Sequence, residues 1–186
     1  PALMLNGTNG GGKTHLLEMV VHNLFLAHRN LRILGQEMVT PLISNFNYAV
    51  NASTHQELRS SFQNEVAELV QILLNADQAL PGSKGLLALD EAFRGTDKRD
   101  AIPLLVGLLV YLKRRDIFFL GSTHFNSFGH LSDEFERYNL GVRSCTMVPG
   151  EFRMIEGVGN SGGIKSAEAR GLESQIVEIA KQVAAN

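Results

Sequence analysis

Gly7-Thr8-Asn9-Gly10-Gly11-Gly12-Lys13-Thr14 follows the short apolar run Ala2-Leu3-Met4-Leu5-Asn6 and leads into a segment of helical spacing. Strand, glycine-rich turn and helix in that order are the context that the pattern G-x-x-x-x-G-K-[ST] requires, and the eight residues fit it. The glycines let backbone N–H groups converge on phosphate oxygens with no Cβ in the way. Lys13 is placed to reach β- and γ-phosphates, and the Thr14 hydroxyl suits Mg²⁺. The helix N-terminus adds its dipole and its unpaired donors. The alternative is a glycine-rich strand–helix turn that binds nothing; a matching acidic partner further along the chain argues against it.

Outward from this stretch, strands and helices alternate. Leu16, Leu17, Val20, Val21, Leu24 and Phe25 share one helical face after Lys13. Residues 31–34 read as the next strand, and residues 39–53, interrupted by Pro41, Asn45, Asn47 and Asn51, as short strands and loop. Residues 59–76 carry the apolar stripe Phe62, Val66, Leu69, Val70 and Leu73, and Ser60 with Gln63 has capping-box spacing, which starts this helix at Ser60 or Ser61. Pro81-Gly82 marks a turn. Residues 85–90 are an apolar run ending in an acid, as expected of a central parallel strand covered on both faces. Helical spacing returns through Leu104, Leu105, Leu108, Leu109 and Leu112, and residues 117–122 read as another buried strand.

The last third changes character. Residues 141–148 and 151–155 flank Pro149-Gly150, the pattern of an antiparallel hairpin. Four glycines fall within residues 157–163, which reads as a loop, and residues 172–185 read as a closing helix with Ile176, Ile179, Ala180 and Val183 inward. The expected fold is α/β: a mostly parallel central sheet flanked by helices, with an antiparallel hairpin near the C-terminus. A single domain spans 1–186, with a C-terminal helical segment at about 164–186.

Composition bounds the function. Lys plus Arg total 17 against 19 for Asp plus Glu, a net charge of −2, where a domain gripping DNA over a wide face would be clearly basic. Cys145 is the one cysteine, which excludes an intramolecular disulfide and fits a reducing compartment. That places the protein in the cytoplasm, or in the nucleus or an organelle of a eukaryote. The longest apolar run, residues 101–112, falls short of the roughly 18 residues of a membrane span, so no membrane partner is expected. A chain that begins at Pro1, without Met and directly in an apolar stretch, is expected of a fragment of something longer.

The acidic partner of the glycine-rich loop is Asp90-Glu91, at the end of Leu86-Leu87-Ala88-Leu89. Asp90 can hold Mg²⁺ through its water shell, and Glu91 can polarise a water that attacks a γ-phosphate. The other reading makes both of them carboxylates favoured by a helix N-terminus. His15, His22, His28, His55 and His130 show no metal-ligand spacing. Lys98, Arg99, Lys113, Arg114 and Arg115 read as solvated helix ends.

In this order the motifs resemble the C-terminal ATPase domain of the MutS mismatch-repair family, a branch of the ABC-type P-loop ATPases. Residues 6–14 look like its phosphate loop, and Arg59-Ser60-Ser61-Phe62 with Glu65 resembles its signature segment. Asp90-Glu91 followed by Arg94-Gly95-Thr96 matches its acidic motif, and Ser122-Thr123-His124-Phe125 its switch histidine. The resemblance implies Mg²⁺-dependent hydrolysis of ATP held by Gly7, Thr8, Asn9, Gly10, Gly11, Gly12, Lys13 and Thr14, with Thr14 and Asp90 on the metal and Glu91, His124 and Lys13 catalytic. It also implies a head-to-tail homodimer or paralogue heterodimer, in which Ser60 and Ser61 of one copy face the nucleotide of the other. DNA would be contacted by regions missing from this fragment, in mismatch repair or recombination. Absence of appreciable hydrolysis in isolation, with nucleotide only gating dimerisation, is the alternative, as is another ABC-type DNA-maintenance ATPase. Thr8 and Gly10 stand where the family usually has Pro and Met, Phe93 where Gly is common, and Glu173 where Pro follows Gly-Leu, so the resemblance is to a divergent member.

Overall fold

A computed structural model of the chain describes residues 2–7, 10–49, 61–76, 80–123, 128–148, 153–156, 168 and 173–184. The elements run β1 (Ala2–Asn6), α1 (Lys13–His28), β2 (Ile43–Ala49), α2 (Ser61–Ala76), β3 (Lys84–Leu89), α3 (Lys98–Arg114), β4 (Ile117–Ser122), α4 (Phe128–Arg137), β5 (Val142–Val148), β6 (Arg153–Glu156) and α5 (Ser174–Ala184). The six strands form one sheet in the order β2-β3-β4-β1-β5-β6. Five of them are parallel, and β6 lies antiparallel on β5 from Cys145 opposite Glu156 to Val148 opposite Arg153. The Pro149-Gly150 turn that would make this pair a hairpin lies outside the described residues.

Side chains alternate across a strand, and in β3 both faces are covered, which is why residues 85–89, after Lys84 at its start, are apolar. Leu87 and Leu89 pack with Leu105, Leu108, Leu109 and Leu112 of α3, while Leu86 and Ala88 join Leu17 and Leu24 of α1 on the opposite face. β1 does the same in miniature, with Met4 in the first cluster and Leu5 in the second, both fully buried. α3 starts where Asp97 accepts the Arg99 N–H at 2.8 Å, an N-cap that satisfies one of the helix's orphan donors. α1 ends at His28. The Ile43 N–H donates to its Nε2 at 2.8 Å, and Nδ1 lies 2.8 Å from the Leu24 carbonyl, so the ring joins the end of α1 to the start of β2.

Four expectations change. Residues 31–34 form no strand; Leu31 and Leu34 are exposed, and the Asn23 side chain holds Leu34 by both its N–H and its carbonyl, a clamp that leaves no ladder for a strand to join. Phe25 and Val70 sit at the margins of their helical stripes and are exposed, so the buried arc of α1 and of α2 is narrower than the spacing suggests. Among the described residues of α5, Val177 is buried, and Ile176 and Ile179 face outward. α4 was not anticipated: ten residues with Leu131 and Phe135 as anchors one turn apart carry too short a periodicity to register. Among the described residues, no helix is long and apolar enough to cross a membrane.

Candidate functional site

Parallel strands bring their C-terminal ends to one edge of the sheet, where crevices form in open α/β folds. Here the register pairs Leu5 with Ser122 and Leu89 with Gly121. Asn6-Gly7, Asp90-Glu91 and Ser122-Thr123 therefore leave the sheet side by side. The Thr123 N–H donates to the Leu5 carbonyl at 2.9 Å and the Asp90 N–H to the Ala49 carbonyl at 3.1 Å, extending the ladder just past the strands.

The glycine-rich loop turns away from β1 at Gly7, whose φ of 122° is open to glycine and strained for other residues; a Cβ there would also lie 3.3 Å from the Met147 carbonyl oxygen of β5. Gly12, at φ 87° in the left-handed region, delivers the chain into α1. Lys13 follows, almost wholly buried, with its ammonium donating to the Gly7 carbonyl at 2.9 Å. Burial pushes the Lys13 ammonium below its ordinary 10.5, while Glu91 and Asp90 pull it back up. A buried cation folded over its own loop, beside two carboxylates, is a group ready to exchange an internal acceptor for an anion.

Across from it, the Asp90 carboxylate is engaged on both oxygens. Oδ2 accepts the Thr14 hydroxyl at 2.7 Å, and Oδ1 accepts the Ser122 hydroxyl. Ser122 Oγ in turn accepts the Glu91 N–H at 2.8 Å, so one hydroxyl fixes both acidic residues. Glu91 has φ 52°, a left-handed conformation that costs a non-glycine residue about 1–3 kcal/mol. Its carboxylate pairs with the Arg94 guanidinium at 3.0 Å, Arg94 being the more exposed of the two. Behind them, burial first and then Glu18 and Asp90 push the Tyr48 hydroxyl up to about 12.

Gly10, Gly12, Lys13, Thr14, His15, Glu91 and Arg94 line one open cleft of about 600 Å³, a size that accommodates a nucleotide-sized ligand. The donor set fits what the motif implies: a hydroxyl and a carboxylate 2.7 Å apart are hard oxygen ligands of the kind Mg²⁺ takes, next to a buried cation and a glycine loop suited to phosphate. The structure thus brings Gly10, Gly12, Lys13, Thr14 and Glu91 into one cleft, with Asp90 bonded to Thr14 at its base. Gly7 and Gly11 belong to the same loop. Thr8, Asn9, Ser60 and His124 lie outside the described residues. Ser61 opens α2. Ser122, Arg94 and His15 were not singled out as site residues from sequence. Ser122 has no signature in spacing; its role follows from the register that sets β4 beside β3.

A family model described as MutS domain V matches residues 3–186. The chain is 28% identical over 188 residues to a protein named Endonuclease MutS2 from Halothermothrix orenii, covering 97% of this chain and 23% of that protein. It is 28% identical to the Endonuclease MutS2 of Streptococcus uberis with the same coverage. The chain therefore spans about a quarter of the length of these curated relatives. Among solved structures it is similar to the cytoplasmic domain of the Thermomonospora curvata type VII secretion ATPase EccC, at a TM-score of 0.48 and 10% identity over 87% of this chain and 21% of that one. It is also similar to a protein titled ATPase, at 0.47 and 13% over 84% and 71%. Likeness at this level carries no functional argument.

Proposed function

The chain belongs to the MutS domain V family, and on that premise we propose that it is the ATP-hydrolysing domain of a MutS-like protein, coupling nucleotide turnover to a DNA-bound conformational change in mismatch repair or recombination. The observation that carries this reading is the joint placement of Lys13 and Thr14, at the start of α1, with Asp90 and Glu91, just past β3. Each wall alone has a structural explanation; facing one another, they supply a phosphate grip and a hydrolytic carboxylate.

In this reading the backbone N–H groups of residues 7–14 cradle the phosphates, and Lys13 turns from the Gly7 carbonyl to the β- and γ-phosphate oxygens. Thr14 and Asp90 would hold Mg²⁺, which neutralises phosphate charge and orients the leaving group. Glu91 orients a water in line with the γ-phosphate and takes its proton. Ser122 keeps Asp90 and the Glu91 backbone in register. His124 would sense the γ-phosphate, and the Ser60 and Ser61 segment would meet the nucleotide of a second copy, identical or paralogous, in a head-to-tail dimer. DNA contacts belong to parts of the protein beyond this chain.

Phosphate release from ATP and Mg²⁺ tests the reading: Glu91→Gln is expected to bind ATP and not turn it over, and unchanged steady-state hydrolysis removes Glu91 from its role. One observation favours a second reading, a nucleotide-gated dimerisation module with negligible hydrolysis of its own. The Arg94 guanidinium holds one oxygen of the Glu91 carboxylate at 3.0 Å and so competes with a water for it. ATP-driven dimerisation without phosphate release would select this second reading.

A further inference from the structure

Glu65 stands one turn into α2, and its carboxylate reaches out of the helix to the loop that carries Glu91. One oxygen accepts the Phe93 N–H, and the other lies 3.4 Å from the Gly95 nitrogen. That loop needs holding. Glu91 at φ 52° and Phe93 at φ 59° are both left-handed, and the Phe93 side chain is committed to the core. Conformations of this kind persist only where the surroundings over-determine them. Here the surroundings are Ser122 on the Glu91 N–H, the pocket around the Phe93 ring, and Glu65 on the N–H groups beyond it. Burial and Glu68 push the Glu65 carboxyl above its ordinary 4.5, and the N–H groups of Phe93, Gly95 and Arg94 pull it back. The cavity behind it, about 20 Å³ between Glu65, Leu69, Asp90 and Phe93, has room for about one water. A shift of α2 must carry the loop with it or break these bonds.

We propose that Glu65 is a positioning residue that couples the first turn of α2 to the loop carrying Glu91, so that a partner's nucleotide engaging the start of α2 resets Glu91 in the cleft of the same chain. The proposal rests on the ATPase reading above. It gives the Glu65 carboxylate a role distinct from binding nucleotide: it lines no part of the cleft that holds Lys13 and Thr14. It links the surface that would meet one ATP to the base that would act on the other.

The test uses the intact protein as wild type, Glu65→Gln and Glu65→Ala. Turnover per chain is followed against protein concentration, alongside light scattering for ATP-driven assembly and titration with a fluorescent ATP analogue. In wild type, turnover rises with concentration as assembly proceeds. Both variants are expected to bind the analogue within about threefold of wild type and to assemble as it does, with KM within about threefold. Glu65→Ala loses the concentration-dependent rise, with kcat about tenfold lower, and Glu65→Gln, which keeps one acceptor oxygen, loses part of it. If Glu65→Ala does not fold, Glu65→Gln decides. An undiminished rise in Glu65→Gln overturns the proposal, and so does loss of analogue binding or assembly together with turnover, the mark of a merely structural role. A wild-type protein that neither assembles with ATP nor releases phosphate overturns the ATPase reading itself, and the coupling falls with it.

Discussion

The glycine-rich wall of the cleft, with Gly10, Gly12, Lys13 and Thr14, takes its turn from neighbours in sequence: Lys13 folds back on Gly7, and the left-handed Gly12 opens the helix that follows it, with Thr14 tied across the cleft to Asp90. The acidic wall, residues 90–95, is held from a distance, by Ser122 from β4 and Glu65 from α2, partners between 28 and 32 positions away in the chain. A wall whose turn is made by close neighbours takes much of its shape from its own short segment. A wall assembled from remote partners has its shape only when three elements are packed together, and it can be altered from any of them. Hydrolysis should therefore be easier to perturb from afar than binding.

Substitutions can break that contrast. The largest effect is expected at Glu91→Gln, with turnover falling about 10²–10⁴-fold and affinity for a fluorescent ATP analogue held; affinity falling in parallel would merge the two walls into one function. Lys13→Ala is expected to weaken analogue binding about 100-fold, since a charge-assisted contact contributes about 1.5–3 kcal/mol, and unimpaired titration would remove the local wall as the phosphate grip. Ser122→Ala leaves an Asp90 oxygen and the Glu91 N–H without their shared hydroxyl. The expected cost is about 1–3 kcal/mol of stability, seen in thermal melts, with turnover falling more than affinity; an equal loss of both would mean that Ser122 supports the fold alone. The smallest effect is expected at His15→Ala. That ring lines the cleft from an exposed position, and affinity should stay within about twofold and stability within about 0.5 kcal/mol. A larger loss would show that the local wall reads its ligand through side chains as well as backbone.

The same contrast governs what could be read from the residues in order. The glycine-rich loop and the strand ending in Asp90-Glu91 are legible because their signals, glycine spacing and an unbroken apolar run, are contained in a few consecutive positions. Ser122 becomes meaningful only once the register sets β4 beside β3, and Glu65 only once α2 lies against the loop after β3. Neither relation has a signature in spacing. Residues 31–34 mislead for a related reason: their apolar letters suit a strand, and a clamp from Asn23, eleven positions earlier, holds them in another conformation. In α5, helical period was right and phase was wrong, because phase is set by the surface a helix packs on: Val177 faces inward and Ile176 and Ile179 do not.

His28 carries a consequence of its own. A backbone N–H can only donate, so the contact from Ile43 obliges Nε2 to be an acceptor and leaves the ring hydrogen on Nδ1, donated to the Leu24 carbonyl. The fold thereby dictates a tautomer, and ¹⁵N resonances distinguish the two ring nitrogens. Since α1 has the glycine-rich loop at its first residue and this ring at its last, a histidine chemical shift offers a spectroscopic window, remote from the cleft, on whether the far end of the helix keeps its hold on β2 when ATP is added.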